Sequence, residues 1–317
     1  MPQPYISSVH VNQPLTNFSL AVWQSAGYAW NAFRPVRSLH RSDVYWTYDQ
    51  DYWFRSGQVL RRAPGTESAG SGYTVATTTF TTERFSFHKD VDDPTRRNAD
   101  PGLNLDREAS EFTAMQLNIA LEVQWATELF GPSLWNADTT PGTLWDVATS
   151  DPIGDLEARA LVMQTNTGRR PNTLYLGAQT YSDGLKNHPD LLDRIKYTQR
   201  GIVTADLIAA CLDLDRVIVC GATRNTANEG ATRSMAFIAG GNDALLAYVS
   251  PTPGLMTPTA HQTFVWPEAG AANEFGVATK KYRLPESVES ERIETELWFD
   301  FVLTSALLGE FFSNTVT

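Results

Sequence analysis

A stretch of threonine, valine and aromatic residues constrains the fold more than any other feature of the sequence. YWTYDQDYWF (Tyr45 to Phe54) precedes a tip rich in Gly, Ser and Pro, RRAPGTESAGSG (Arg61 to Gly72), and YTVATTTFTTERFSFHKDV (Tyr73 to Val91) follows it. Thr, Val and aromatic residues favour strands and the tip supplies a turn, so the sequence predicts one long β-hairpin. An isolated two-stranded hairpin is marginally stable in water. We therefore expect the hairpin to lie on another surface, which could belong to a second subunit.

The first 54 residues are dense in aromatic side chains but poor in regular pattern. Pro14, Gly27 and Pro35 punctuate the segment from Val9 to Pro35, which is typical of an extended arm. The arm could pack on its own domain, or it could bury its aromatic side chains on neighbouring chains, where Trp and Tyr are favoured. Under the second reading, deletion of residues 1–34 should leave a folded subunit that assembles poorly. The aromatic residues are Tyr5, Phe18, Trp23, Tyr28, Trp30, Phe33, Tyr45, Trp46, Tyr48, Tyr52, Trp53 and Phe54.

A long helix is predicted after the hairpin. Asn104 or Asp106 caps its start, and Gly131-Pro132 ends it after Phe130. At about 1.5 Å per residue the helix spans roughly 37 Å. Two apolar stripes indicate that it is covered on more than one side. The first stripe is Phe112, Met115, Ile119, Val123, Ala126 and Phe130, and the second is Leu117, Leu121 and Trp125.

Helix and strand patterns alternate in the second half of the chain. A helix from Asp151 or Pro152 to Gln164, closed by Gly168, leads into a mixed α/β unit. RIETELWFDFVL (Arg292 to Leu303) then predicts a long strand with one buried face. The unit comprises the strand TLYLG, the helices AQTYSDGLKN, DLLDRIKYT and TADLIAACL, and the strands RVIVCGA, MAFIAG and ALLAYVS. The buried face of the long strand is Ile293, Leu297, Phe299, Phe301 and Leu303.

The acidic charge balance limits the classes of partner. A net charge of −11 argues against tight nucleic-acid binding, which needs a basic surface. The sequence has neither a signal-peptide pattern nor about 18 consecutive apolar residues, so we expect a soluble protein that is not exported. Cys211 and Cys220 lie in apolar surroundings, and we expect both to be buried free thiols.

Catalytic and cofactor patterns are absent from the sequence. It contains no G-x-G-x-x-G after a strand, no G-x-x-x-x-G-K-[ST], no H-E-x-x-H and no G-x-S-x-G. The five histidines lack the spacing of metal ligands, and Asp90, Asp92 and Asp93 are typical of a turn before Pro94. His188 in the string NHPD has no accompanying nucleophile pattern. We therefore predict no catalytic residues, no cofactor and no metal.

The order of arm, hairpin, long helix, inserted α/β unit and returning strands resembles the major capsid proteins of tailed bacteriophages, which have the Hong Kong ninety-seven fold. The resemblance extends over nearly the whole chain. Its strongest stretches are HVNQPLTNFSLA, RAPGTESAGSGY, DREASEFT, RPNTLYLGAQ, LKNHPDLLDRIKYTQRGIVTADLIAA and SMAFIAGGNDALLAYVSP.

The resemblance implies an α+β capsid fold with five segments. These are an N-terminal arm (1–44), an extended hairpin loop (45–100), a peripheral domain with a spine helix (101–168), an axial domain (169–262) and strands that complete the peripheral domain (263–317). It also implies self-assembly into pentamers and hexamers of a virion shell around double-stranded DNA, with assembly in the host cytoplasm and no membrane. A separate scaffolding protein, a portal and a decoration protein are the other implied partners.

Eight residues are predicted at subunit interfaces on this basis. The tip arginines should dock on acidic side chains of an adjacent peripheral domain, although a solvated turn is the alternative. Some family members join subunits through a lysine-to-asparagine isopeptide bond, but no lysine occurs between Tyr45 and His88, so we expect no such bond here. The predicted interface residues are Trp23, Trp30, Trp53, Arg61, Arg62, Glu289, Glu291 and Glu294.

Two other functions remain open from the sequence. An encapsulin-like cellular shell has the same fold and would hold enzymes in place of DNA. A soluble α/β enzyme would account for the strand and helices from Arg170 to Gln199, but not for the hairpin or the aromatic arm.

Overall fold

The computed structural model describes residues 27–48, 53–99, 104–195, 203–252, 254, 257–267 and 274–317. Its helices are α1 (Asp93–Asn98), α2 (Leu105–Leu129), α3 (Pro152–Thr167), a π-helix (Thr180–Lys186), α4 (Pro189–Ile195), α5 (Ala205–Cys211) and a 3₁₀ turn (Ala306–Leu308). Its strands are β1 (Val36–Arg37), β2 (Ser42–Tyr48), β3 (Val75–Thr81), β4 (Glu83–Asp92), β5 (Ala137–Thr139), β6 (Thr173–Gly177), β7 (Arg216–Cys220), β8 (Thr223–Asn225), β9 (Met235–Phe237), β10 (Ala244–Ala247), β11 (His261–Val265), β12 (Ala278–Arg283), β13 (Ser290–Leu303) and β14 (Gly309–Phe312).

The first sheet is organised around β13, which pairs antiparallel with β4, β11 and β12, while β1 pairs with β11. The long strand predicted from Arg292 to Leu303 is confirmed and begins at Ser290. Alternate residues along it are buried against α2, because successive side chains of a strand point to opposite faces. The buried apolar residues of β13 are Ile293, Leu297, Phe299 and Phe301.

Helix α2 is the predicted spine. Asn104 caps its start by accepting a hydrogen bond from the backbone N–H of Arg107, and the helix ends at Leu129. The second apolar stripe is the buried face, whereas Phe112 of the first stripe is exposed. The Oγ1 atoms of Thr113 and Thr295 lie 2.9 Å apart, which joins α2 to the first sheet. The buried residues of α2 are Ala109, Thr113, Leu117, Leu121, Glu122, Trp125, Ala126 and Leu129.

The second sheet has the strand order β5-β14-β10-β6-β7. It belongs to the predicted α/β unit, but β14 comes from the C-terminus and pairs with β10 and β5. The expectation that all of residues 263–317 complete the peripheral domain is corrected by this pairing. Phe311 and Phe312 on β14 are buried, so their insertion into the second sheet removes two large apolar side chains from water.

The hairpin is shorter than the sequence predicted. β2 and β3 pair from Ser42 and Thr81 to Tyr48 and Val75 and form a separate two-stranded sheet. Residues 53–74, all of which are described, form no strand. The backbone N–H of Thr82 donates to the carbonyl of Arg41, and the next strand, β4, joins the first sheet. The prediction of one hairpin through Val91 is therefore wrong for residues 83–91, which pair with β13.

Several local predictions can also be compared with the structure. The segment AQTYSDGLKN forms a π-helix at Thr180–Lys186, and MAFIAG contributes the short strand β9, which pairs with β8. Both cysteines are free, and Cys220 is buried while Cys211 is half-buried. Among the described residues, no helix combines the length and hydrophobicity that crossing a bilayer requires.

Candidate assembly surfaces

The hairpin strands β2 and β3, together with the described connecting residues 53–74, present a large apolar surface to solvent. A two-stranded sheet cannot bury such side chains by itself. Exposed apolar clusters of this kind mark interaction sites. The exposed large apolar residues in this part of the chain are Val44, Trp46, Trp53, Phe54, Val59, Leu60, Tyr73 and Val75.

The base of the hairpin is fixed to the first sheet by aromatic contacts. The ring of Tyr45 stacks on that of Phe264, with centroids 5.8 Å apart, and Phe80 stacks on the same ring. The backbone N–H of Thr81 donates to Oδ2 of Asp300 at 3.0 Å. The hairpin is therefore anchored to the first sheet at one end, and most of its described residues from 53 to 75 are exposed.

The predicted interface residues on the connecting loop are exposed. Arg61 and Arg62 lie at the tip, where Arg62 Nε donates to the carbonyl oxygen of Thr66. The ring of Trp53 lies 5.1 Å from that of Tyr73, centroid to centroid. Gly65 has a φ of 83°, in the left-handed region that glycine adopts without strain. These side chains are accessible to a second subunit.

Two of the three predicted acidic partners already have partners in the same chain. Glu291 Oε2 lies 2.6 Å from Arg96 and 2.9 Å from Lys281. The hydroxyl of Tyr282 donates to Glu294 at 2.7 Å. These bonds hold β12, β13 and the segment before α2 together.

The third acidic residue, Glu289, differs from the other two. It is exposed in the turn before β13, as is Glu286, and no ion pair of either carboxylate is found within the described ranges. Glu286 and Glu289 are therefore the acceptors best placed for an arginine from outside the chain.

Of the two tryptophans predicted on the arm, the structure describes Trp30 alone. Trp23 lies outside the described residues. Trp30 is buried in the chain's own core, where its ring lies 4.8 Å from Phe275, centroid to centroid. The expectation that Trp30 packs on a neighbouring subunit is corrected, because little of its surface is left for one.

Buried polar side chains of the core were not predicted from the sequence. Glu122 is fully buried on α2, and its carboxylate accepts the backbone N–H groups of Ala29 and Trp30. Burial lowers the pKa of His261 to about 4, and its Nε2 lies 2.8 Å from the hydroxyl of Tyr175. Glu122 lies between Leu121 and Val123, which belong to the two apolar stripes of the predicted helix, and this position is the sequence signal that could have identified it.

The histidine noted in the string NHPD has structural contacts. His188 is buried, and its Nε2 lies 3.1 Å from the hydroxyl of Ser150. The backbone N–H of Asp190 donates to its Nδ1 at 3.3 Å. Within the part of the chain that the structure describes, no group of three or more His, Cys, Asp or Glu residues is arranged to hold a metal ion.

Comparison with known proteins gives similarity in both sequence and fold. No family model matches the chain. Over 72 residues it is 43% identical to the major capsid protein of Burkholderia phage BcepMu, a match covering 23% of each chain. A phage-related protein from Bordetella bronchiseptica RB50 has a TM-score of 0.68 at 20% identity, covering 96% of this chain and 97% of that chain. The capsid structure of cyanophage P-SCSP1u has a TM-score of 0.58 at 10% identity, covering 96% and 93%. Sequence identities as low as those with the two solved structures show only that the fold is shared.

Proposed function

We propose that this chain is a major capsid protein of a tailed bacteriophage. Its role is structural: it assembles into pentamers and hexamers that form an icosahedral head around double-stranded DNA. The shared α+β fold covers 96% of the chain, and the sequence similarity to a phage major capsid protein gives that fold a function. Fold alone would not, since one fold carries many functions.

The exposed hairpin is the observation that most strongly supports self-assembly. Its aromatic and aliphatic side chains stay in water in the single subunit, and burying each one is worth on the order of 2 kcal/mol. A second copy of the chain is the proposed occupant. Trp53, Arg61 and Arg62 from the hairpin, with Glu286 and Glu289 of the neighbour, form the proposed contact.

The acidic chain suits a shell that encloses DNA without binding its sequence. With a net charge of −11, counterion release cannot drive tight binding to the phosphate backbone. Packaging would then depend on other proteins. A portal, a separate scaffolding protein and a decoration protein are the proposed partners, with assembly in the host cytoplasm.

The native mass of the purified full chain tests the proposal. We expect capsomers or closed shells, far heavier than the 35.2 kDa subunit, with the share of large particles rising with concentration. A chain that stays monomeric at every concentration would contradict the proposal and favour a soluble enzyme. Shells recovered from the native source that hold cargo enzymes and no DNA would favour an encapsulin-like compartment.

A further inference from the structure

Glu122 joins the spine helix to the segment Gly27–Trp30, which we call the junction segment. The backbone N–H of Ala29 donates to both carboxylate oxygens, at 3.1 and 2.9 Å. The N–H of Trp30 donates to Oε2 at 3.1 Å. Glu122 has no exposed surface, so these bonds lie in the core.

The junction segment is also held from the opposite side. The carbonyl oxygen of Gly27 accepts the N–H groups of Gly221 and Ala222, both at 3.2 Å. Gly27 has a φ of 99°, and a Cβ there would lie 2.9 Å from the backbone of Gly221. The segment is therefore held between the end of β7 and the side of α2, where the carboxylate of Glu122 accepts the N–H groups of Ala29 and Trp30.

The titratable groups that interact electrostatically with Glu122 carry no positive charge that could neutralise a carboxylate. They are Tyr28 from the junction segment, Tyr175 from β6 and Cys220 from β7. His261 from β11 touches Tyr175, is buried and has a lowered pKa. No ion pair of Glu122 occurs among the described residues. Burial accordingly raises the pKa of Glu122 to about 7, against the opposing effect of the two backbone N–H groups.

We propose that Glu122 is a proton-operated latch: the protonated carboxyl keeps the junction segment docked on α2, and its ionisation favours release of that segment into water. The direction follows from linkage. A released segment exposes the carboxyl, which then ionises with its ordinary pKa near 4.5, so the docked state binds the proton more tightly. Docking is strongest below that pKa and weakens as pH rises through about 7. The latch acts within one subunit, so it does not rest on the proposed assembly.

Hydrogen exchange of the Ala29 and Trp30 amides tests the latch in the full chain. After division by the intrinsic exchange rate, the opening equilibrium of the parent should rise about tenfold between pH 6 and pH 8, as linkage predicts for this change of pKa. Glu122→Gln cannot ionise and should show no such rise. Glu310→Gln removes another buried glutamate, on β14, and should keep the parent's rise.

Two results would overturn the latch. One is a parent whose corrected exchange at these amides is the same at pH 6 and pH 8, which decides the matter even if Glu122→Gln fails to fold. The other is a folded Glu122→Gln variant that keeps the rise, since the titrating group would then lie elsewhere.

Discussion

The ring of Phe80 stacks on the ring of Phe264 with the centroids 4.0 Å apart and the planes 7° from parallel. Phe80 lies on β3 and Phe264 on β11, so this pair connects the hairpin to the first sheet. Both side chains are buried in the single subunit. The stack therefore sets where the hairpin leaves the sheet without help from a neighbour.

Phe264→Ala should loosen that connection. Loss of a buried phenylalanine typically costs about 3–5 kcal/mol of unfolding free energy, which a urea titration of the subunit would measure. Phe87→Ala is the matched control, because Phe87 lies on the same sheet but is exposed, and we expect a loss below about 1 kcal/mol. Equal losses in the two variants would contradict an anchoring role for the stack.

The elements with strong local signals were predictable from the sequence. Asn104 as a cap and the alternation from Ile293 to Phe301 place the spine helix and the long strand, and both are confirmed. These signals work because caps and side-chain periodicity are local properties of the chain.

The non-local features were not predictable. β14 has four residues, GEFF, too few to show which sheet it joins. The pattern of threonine and aromatic residues is the same before and after Thr82, although β3 and β4 lie in different sheets. An aromatic residue such as Trp30 has the same chemistry whether it packs in its own core or on a neighbouring subunit, so its sequence alone does not distinguish the two. Glu122 could be identified as unusual by its position between the two apolar stripes of the helix, but its hydrogen-bond partners could not be predicted.

Two N-terminal truncations should differ sharply. Deletion of residues 1–26 keeps the bonds from Ala29 and Trp30 to Glu122, so we expect a folded subunit. Deletion of residues 1–34 removes Trp30 from the core, a change of the kind that costs about 3–5 kcal/mol, and leaves Glu122 without its two donors. Thermal unfolding of both variants measures the difference. Equal melting temperatures would show that the junction segment adds nothing to the fold.

His261 should make the subunit less stable in acid. Its pKa of about 4 lies below the ordinary 6.5, because burial disfavours the charged ring. The neutral ring of His261 therefore contributes its full share of the unfolding free energy above pH 6.5, and this share is lost as pH falls through about 4. Glu122 has the opposite sign, since it adds stability as pH falls from about 7 to 4.5.

The two trends can be separated in the Glu122→Gln background. Urea titrations there should show stability falling between pH 6.5 and pH 4, and His261→Gln should flatten that slope even if it lowers stability overall. The slope, and not the absolute stability, is the diagnostic. An unchanged slope in the double variant would show that another group titrates in this range.

Mature particles should dissociate completely in boiling detergent. An isopeptide bond to the hairpin needs a lysine amine, and the chain has no lysine from Tyr45 to His88. Lys89 lies on β4 within the first sheet, opposite Ile293, and not on the hairpin. Gel electrophoresis should therefore give a single band near 35.2 kDa. A ladder of covalent oligomers would contradict this, whereas intact non-covalent shells before boiling would not.

Reversal of the tip charges should weaken assembly without weakening the subunit. Arg61 and Arg62 are exposed, so Arg61→Glu with Arg62→Glu should leave the melting temperature of the subunit nearly unchanged. Exposed ion pairs are worth only about 0–1 kcal/mol each, but a shell repeats the contact in every subunit. Heating of assembled particles should show earlier dissociation of the variant, most clearly at low salt, where screening is least.

Two further variants identify the partners of those arginines. Arg61→Lys with Arg62→Lys keeps the charge and should assemble nearly as the parent does. Because Glu291 and Glu294 already bond within their own chain, Glu286 and Glu289 are the expected acceptors. Glu286→Arg with Glu289→Arg, added to the variant that carries Arg61→Glu and Arg62→Glu, should restore the heat resistance of the shells. The ion pairs would then re-form with the charges exchanged. If shells of the Arg61→Glu, Arg62→Glu variant resist heating as well as the parent at both low and high salt, the docking prediction is wrong and the tip is a solvated turn.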